Sequence, residues 1–123
     1  MLPLLQEWKK ADPKNVSVRQ QLMDLHESNG DVDKAIKEAL DYVVVFPADL
    51  GGRVRVSHLL VKAKRFEEAG QVLENLVRDN PDQLPLRKRL IELYEGPLKN
   101  TARAQHHQQM LKQVEKRADS RSP

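Results

Sequence analysis

Apolar side chains recur along the chain three or four residues apart, which is the spacing of an amphipathic α-helix. Between residues 16 and 28 they fall on one helix face, made of Val18, Leu22, Leu25 and His26. Asn29 and Gly30 are typical helix-ending residues, and Asp31 is suited to cap a following helix. That second helix stops at Pro47, which lacks a backbone N–H donor. The pattern predicts a helical hairpin.

The hairpin pattern repeats with a period of 34 residues, marked by Pro13, Pro47 and Pro81. The same shift superposes residues of apolar, small and charged classes. We therefore predict an all-α fold, an α-solenoid of about three helix-turn-helix repeats over residues 16–47, 50–81 and 84–115. A flanking N-terminal helix is expected over 1–11, the repeat domain over 1–118, and a disordered tail over 119–123.

Composition excludes several classes of protein. The chain has 123 residues, of which 39% are hydrophobic, 32% charged and 4% aromatic, so we expect one domain with a thin core. The longest apolar stretch, Tyr42–Pro47, is far too short to span a bilayer, and no signal peptide is visible, so we expect no membrane insertion and favour a cytoplasmic location. Without cysteine there is no thiolate ligand or nucleophile. We expect no enzyme, metal or cofactor.

Two short segments carry a family resemblance. The run Gly30, Asp31, Val32, Asp33, Lys34, Ala35, Ile36 ahead of Pro47 resembles the tetratricopeptide repeat (TPR), and so does Arg65, Phe66, Glu67, Glu68, Ala69 ahead of Pro81. The 34-residue period is also the period of that family. The resemblance implies a right-handed superhelix of paired antiparallel helices. It further implies a scaffold or adaptor that binds a peptide or helix in its concave groove.

The first helix of each hairpin is expected to line that groove with one face. By period, the groove residues are Ser17, Gln20, Asp24, Glu27, Gly51, Val54, His58, Val61, Lys88, Glu92 and Glu95. Members of the family that clamp the terminal carboxylate of a chaperone peptide use basic or amide side chains at such positions. Asp24 and Glu92 are acidic instead, so the sequence disfavours that kind of partner. The alternative is that these residues form solvated faces.

Two features leave alternatives open. Gly51 and Gly52 begin a helix that glycine disfavours, either because a partner approaches closely there or because the helix is loosely started. The apolar run that contains Tyr42, Val44 and Phe46 surrounds its helix, so some part of it needs a cover. That cover is either the neighbouring hairpin or a second copy of the chain in a homo-oligomer.

Basic residues offer a further alternative. Arg19, Arg53 and Arg87 recur at the repeat period, either as stems that cover apolar seams and reach carboxylates or as a ladder for an acidic ligand. From residue 86 onward there are nine Lys or Arg against four acidic residues. A nucleic-acid or acidic-ligand adaptor using this C-terminal helix is the weakest hypothesis, because the helix offers no aromatic stacking platforms. Its basic residues are Arg103, Lys112, Lys116, Arg117 and Arg121.

Overall fold

The computed structural model describes the backbone of residues 2–121 and side chains as far as residue 117. Over these residues the chain forms seven helices and no strand, as the periodicity predicts. Their bounds are α1 Leu2–Ala11, α2 Val16–Ser28, α3 Val32–Val45, α4 Leu50–Lys62, α5 Phe66–Asp79, α6 Leu84–Glu95 and α7 Thr101–Arg121. None of these helices is both long enough and apolar enough to traverse a bilayer.

The chain divides into two compact units, Met1–Arg65 and Phe66–Pro123, called unit 1 and unit 2 below. The boundary falls in the turn between α4 and α5, inside the second repeat that the sequence predicts. Each unit has its own core and is described by itself. The single repeat domain over 1–118 therefore stays a prediction.

In unit 1, α2 packs against α1 and α3, and α3 packs against α4. Leu5 of α1 meets Val18 and Leu22 of α2 in one apolar cluster, and Leu22 is fully buried. Ala35 of α3 is also fully buried, and its small side chain lets the helices of the hairpin approach closely. The helix face predicted from the spacing of apolar residues is thus the face that forms the core.

Polar contacts attach α1 to the hairpin. Glu38 of α3 is 7% exposed, and its carboxylate accepts hydrogen bonds from Lys9 Nζ at 3.0 Å and Gln6 Nε2 at 3.2 Å. A buried carboxylate needs such partners to offset its loss of hydration. The α1 helix is therefore an integral part of unit 1.

The turns follow the expected chemistry with two exceptions, at Lys64 and at Asp31. Gly30 has a φ of 79°, which is the left-handed conformation that closes α2. Lys64, one repeat later, has a φ of 61° without being glycine. The side chain of Asn15 caps α2 by accepting the Val18 N–H at 3.1 Å. Asp31 occupies the N-cap position of α3 but makes no side-chain capping bond, so that prediction was wrong.

In unit 2, α5 and α7 each pack against α6. Leu73 and Leu76 of α5 and Leu90 of α6 are buried in its core. The helix α7 is helical as far as Arg121, so residues 119–121 differ from the predicted disordered tail. The preceding Gln, Lys, Glu and Arg residues favour helix propagation. Residues 122 and 123 lie outside the described part of the chain.

Candidate functional site

Most of the predicted groove residues lie on α2 and α4 of unit 1. The α2–α4 surface consists of Ser17, Gln20, Asp24 and Glu27 on α2 and Gly51, Val54, His58 and Val61 on α4. All eight are exposed or half-buried, whereas the opposite faces of both helices form the core. Lys88, Glu92 and Glu95 are exposed on α6 and belong to unit 2, where they form a face of their own.

Ion pairs join the two helices of the α2–α4 surface. The Arg55 guanidinium donates to Asp24 and, at 3.3 Å, to Glu27 Oε1, while Lys62 Nζ donates to Glu27 Oε2 at 2.9 Å. The Lys62 hydrogen bond lowers the pKa of Glu27 against the opposing effect of burial, and the charge of Arg55 adds to it. Both acidic residues of this surface are therefore already neutralised by α4.

Sequence reasoning missed Arg55 and Lys62. The sequence did contain a signal. Arg55 follows Asp24, and Lys62 follows Glu27, by about one repeat, and both cations belong to the first helix of the second repeat. Several residues of α4 are charged, and the rotation of α4 about its own axis decides which of them face α2. Only the packing of the core fixes that rotation.

Once the charges are paired, α4 offers a strip with little charge of its own. Gly51, Val54, His58 and Val61 follow the three- and four-residue spacing of one helix face. Val61 is 38% exposed, and Val54 is half-buried. This strip extends for about 15 Å, given the rise of 1.5 Å per residue.

The two glycines at the start of α4 have different surroundings. A Cβ at Gly52 would stand 2.5 Å from Cε1 of Tyr42, whereas one at Gly51 would meet only Asp49 Oδ1, at 3.3 Å. Gly52 is thus required by the Tyr42 ring inside unit 1, which neither hypothesis from the sequence anticipated. Gly51 is exposed and remains part of the α2–α4 surface.

The apolar run at the end of α3 is mostly covered within unit 1. Tyr42 is 3% exposed, its hydroxyl donates to Asp49, and its ring lies 5.0 Å from that of Phe46, which is half-buried. Val44, in contrast, is 80% exposed. This corrects the expectation that Tyr42 takes part in self-association, because its ring already packs against Gly52 of α4. Of the three residues, Val44 is the one that lies fully on the surface.

The periodic arginines are mainly structural. Arg19 is 6% exposed and Arg87 5%, and Arg53 is half-buried. Arg19 Nε donates to the carbonyl of Pro13 at 2.5 Å rather than to a carboxylate. Arg87 contacts the His107 ring rather than a carboxylate. The two buried guanidinium groups are not presented as a ladder to an external ligand.

A polar network joins the three helices of unit 2. Glu74 Oε1 accepts the Tyr94 hydroxyl at 2.6 Å and faces His107 Nε2 at 2.8 Å, and His107 Nδ1 lies 3.0 Å from Arg87 Nη1. Because an arginine only donates hydrogen bonds, His107 Nδ1 must be the acceptor. The hydrogen of the ring is then on Nε2, which donates a hydrogen bond to Glu74. Arg103 contacts the hydroxyl of Tyr94 from solvent at 3.2 Å.

The electrostatics of this network follow from burial and hydrogen bonding. Burial alone raises the pKa of Glu74, but the hydrogen bonds from Tyr94 and His107 outweigh it, so the net direction is downward. Burial and the Glu74 carboxylate raise the pKa of Tyr94, and burial lowers the pKa of Arg87. The groups hold one another in place, so the network acts as a polar core that links α5, α6 and α7.

Candidate metal ligands are scattered in the described part of the chain. No three His, Asp or Glu side chains there are grouped as a metal site would require. His107 is occupied by Arg87 and Glu74, and His26 is 4% exposed in the core of unit 1.

The helical hairpins place the chain in the all-α, α-solenoid class of TPR-like folds, and comparison with solved structures confirms this. A structure of MamA designated MSR-1 C2 has a TM-score of 0.72 at 19% identity and covers 95% of this chain. A crystal structure of MamA gives 0.71 at 16% identity over 92%, and MamA AMB-1 gives 0.73 at 19% over 94%. These MamA structures are TPR-like repeat proteins.

This chain covers 67%, 66% and 62% of those three chains, or about two thirds of their length. No protein-family model matches the chain. No curated protein matches it either. The similarity at these identities therefore establishes the fold.

Proposed function

We propose that the chain is a member of the tetratricopeptide repeat family and acts as a non-catalytic protein-interaction module. The α2–α4 surface of unit 1 is its binding surface for a peptide or helix. The observation that carries this proposal is the row of ion pairs from Arg55 and Lys62 to Asp24 and Glu27 beside the strip on α4.

The ion pairs define the kind of segment that the surface accepts. Since Asp24 and Glu27 are already paired, they offer little attraction to a basic peptide, and Arg55 and Lys62 offer little to an acidic one. What remains for a partner is contact with Val54, His58 and Val61. An apolar side of the bound segment fits this strip, and the binding should depend only weakly on salt.

The core behind the strip holds it rigid. Val56, Leu59 and Leu60 of α4 are 0% to 4% exposed. They belong to the core of unit 1, in which α4 packs against α3. A receptor that does not have to be ordered on binding loses less entropy, which favours affinity. The exposed Lys88 and Glu92 on α6 are proposed as a separate contact within unit 2.

Selection of displayed peptides on the immobilised protein tests the proposal. The selected peptides are expected to carry apolar residues at helical spacing, and their affinity should change little between low and high salt. His58→Glu and Val61→Glu should abolish the binding without unfolding, since both positions are exposed. Val44→Glu, on the outer face of α3, is the matched control. Folded variants that keep every selected peptide would refute the assignment.

A further inference from the structure

The first helix of unit 1 exposes the only tryptophan in the sequence. Trp8 is 48% exposed and Leu4 45%, and their four-residue spacing places them on one face of α1. The other face of α1 holds Leu5, which is 2% exposed against α2. Tryptophan is strongly enriched among residues that dominate protein interfaces. The exposed face therefore resembles an interface without its partner.

A depression beside Trp8 continues this face from α1 onto α2. Its volume is about 340 Å³, and its lining consists of Trp8, Ala11, Asp12, Asn15, Ser17, Val18 and Gln21. Val18, which is 6% exposed, supplies an apolar wall, and the rim is polar. A depression with an apolar wall and a polar rim suits an aliphatic side chain inserted from outside.

Two oppositely charged residues of α1 are free to pair with a second copy of the helix. Glu7 and Lys10 are exposed, and the structure gives neither an ion pair with any described residue, unlike Lys9, which binds Glu38. When two α1 helices run antiparallel with the axis between Trp8 and Lys9, Glu7 of each copy is level with Lys10 of the other. Such reciprocal contacts are the property of a twofold interface.

The same register also matches the apolar features. It brings the two Trp8 side chains together near the axis. It places Leu4 of each copy level with Pro13 of the other, beside the depression that Ala11 and Asn15 border. One register therefore brings the charges, the aromatic ring and the depression each level with its counterpart.

We propose that a second copy of this chain docks on the α1 face, defined by Leu4, Glu7 and Trp8 with Lys10 at its edge, and forms a twofold dimer. This proposal goes beyond the peptide-binding function and is independent of the strip on α4. Val44 and the outer face of α3 take no part in it. Loss of the dimer and loss of peptide binding are therefore distinguishable by separate variants.

Sedimentation of the full chain from about 1 μM to 1 mM tests the proposal together with Trp8 fluorescence. The expected result is a dimer whose formation shifts the Trp8 emission to shorter wavelength. Leu4→Glu should weaken the dimer at least about thirtyfold, as loss of an interface anchor does. Val44→Glu should leave the dimer unchanged. A monomer over the whole range, or a dimer that Leu4→Glu leaves intact, would overturn the proposal.

Charge reversal tests the register itself. Glu7→Lys or Lys10→Glu alone places like charges together and should weaken the dimer about three- to tenfold at low salt. The double variant restores the pairing with inverted signs, so its dimer should approach the strength of the original. A double variant as weak as the two single variants would contradict the proposed antiparallel register.

Discussion

Two adjacent glycines of α4 are expected to respond to alanine in opposite ways. A Cβ at Gly52 would lie 2.5 and 2.6 Å from Cε1 and Cδ1 of Tyr42, whereas ordinary carbon contacts are about 3.5 to 4.0 Å. The Tyr42 ring must therefore move by about 1 Å. It is 3% exposed, and its hydroxyl is held by Asp49, so there is little room for that movement.

The magnitude follows from two opposing effects. Overpacking of a core costs about 1–3 kcal/mol, and replacing a helical glycine by alanine gains at most about 1 kcal/mol. Gly52→Ala should therefore lower the free energy of unfolding by up to about 2 kcal/mol. Gly51→Ala has the same gain in helix propensity, and its Cβ meets only the Asp49 side chain at 3.3 Å. It should be neutral or stabilise by up to about 1 kcal/mol.

Denaturant unfolding followed by far-ultraviolet circular dichroism and by Trp8 fluorescence measures both variants. Tyr42→Val removes the ring, so in that background Gly52→Ala should lose its penalty and behave like Gly51→Ala. A double-mutant cycle then gives the energy of the contact directly. Equal effects of the two alanines in the native background, or a penalty that persists with valine at position 42, would refute the argument.

Three further predictions concern the turns and the polar contacts. Gly30→Ala should cost about 1 kcal/mol through its left-handed backbone alone, since nothing lies within 4 Å of the new Cβ, and Lys64→Gly should gain up to about 1 kcal/mol. Chemical denaturation checks both, and a loss at Lys64 would contradict the backbone argument. Glu27→Gln should cost about 0.5 kcal/mol at neutral pH. Because the pKa of Glu27 is lowered in the folded state, this stabilisation is present above the ordinary carboxylate pKa and disappears as the pH falls through the lowered value. Unfolding curves over a pH series should show that the free energies of unfolding of the two proteins converge in acid. A difference that stays constant with pH would contradict this assignment of the stabilisation to the Glu27 carboxylate. His107→Leu should cost about 2 kcal/mol by leaving buried partners unpaired, whereas His107→Gln, which keeps one donor and one acceptor, should cost less than about half of that. Equal losses for the two variants would show that the hydrogen bonds contribute little.

The sequence by itself determined the helices and their order. A helix is a local structure, so the spacing of apolar residues together with breakers such as Gly30 and Pro47 sufficed to predict α2 with the bounds that the structure has. The 34-residue period likewise predicted the packed helix pairs α2–α3 and α6–α7, because each hairpin places the same kinds of residues in the same contacts. It also predicted which face of α2 and α4 stays exposed.

The partners of individual polar and aromatic side chains were decided only by the tertiary structure. Arg55 turns toward Asp24 and Glu27, Tyr42 packs over Gly52, and Arg87 meets His107. Each of these contacts joins different helices, so it depends on the rotation and the height of one helix against another. Those quantities are set when many core side chains pack together, and no local spacing in the sequence contains them.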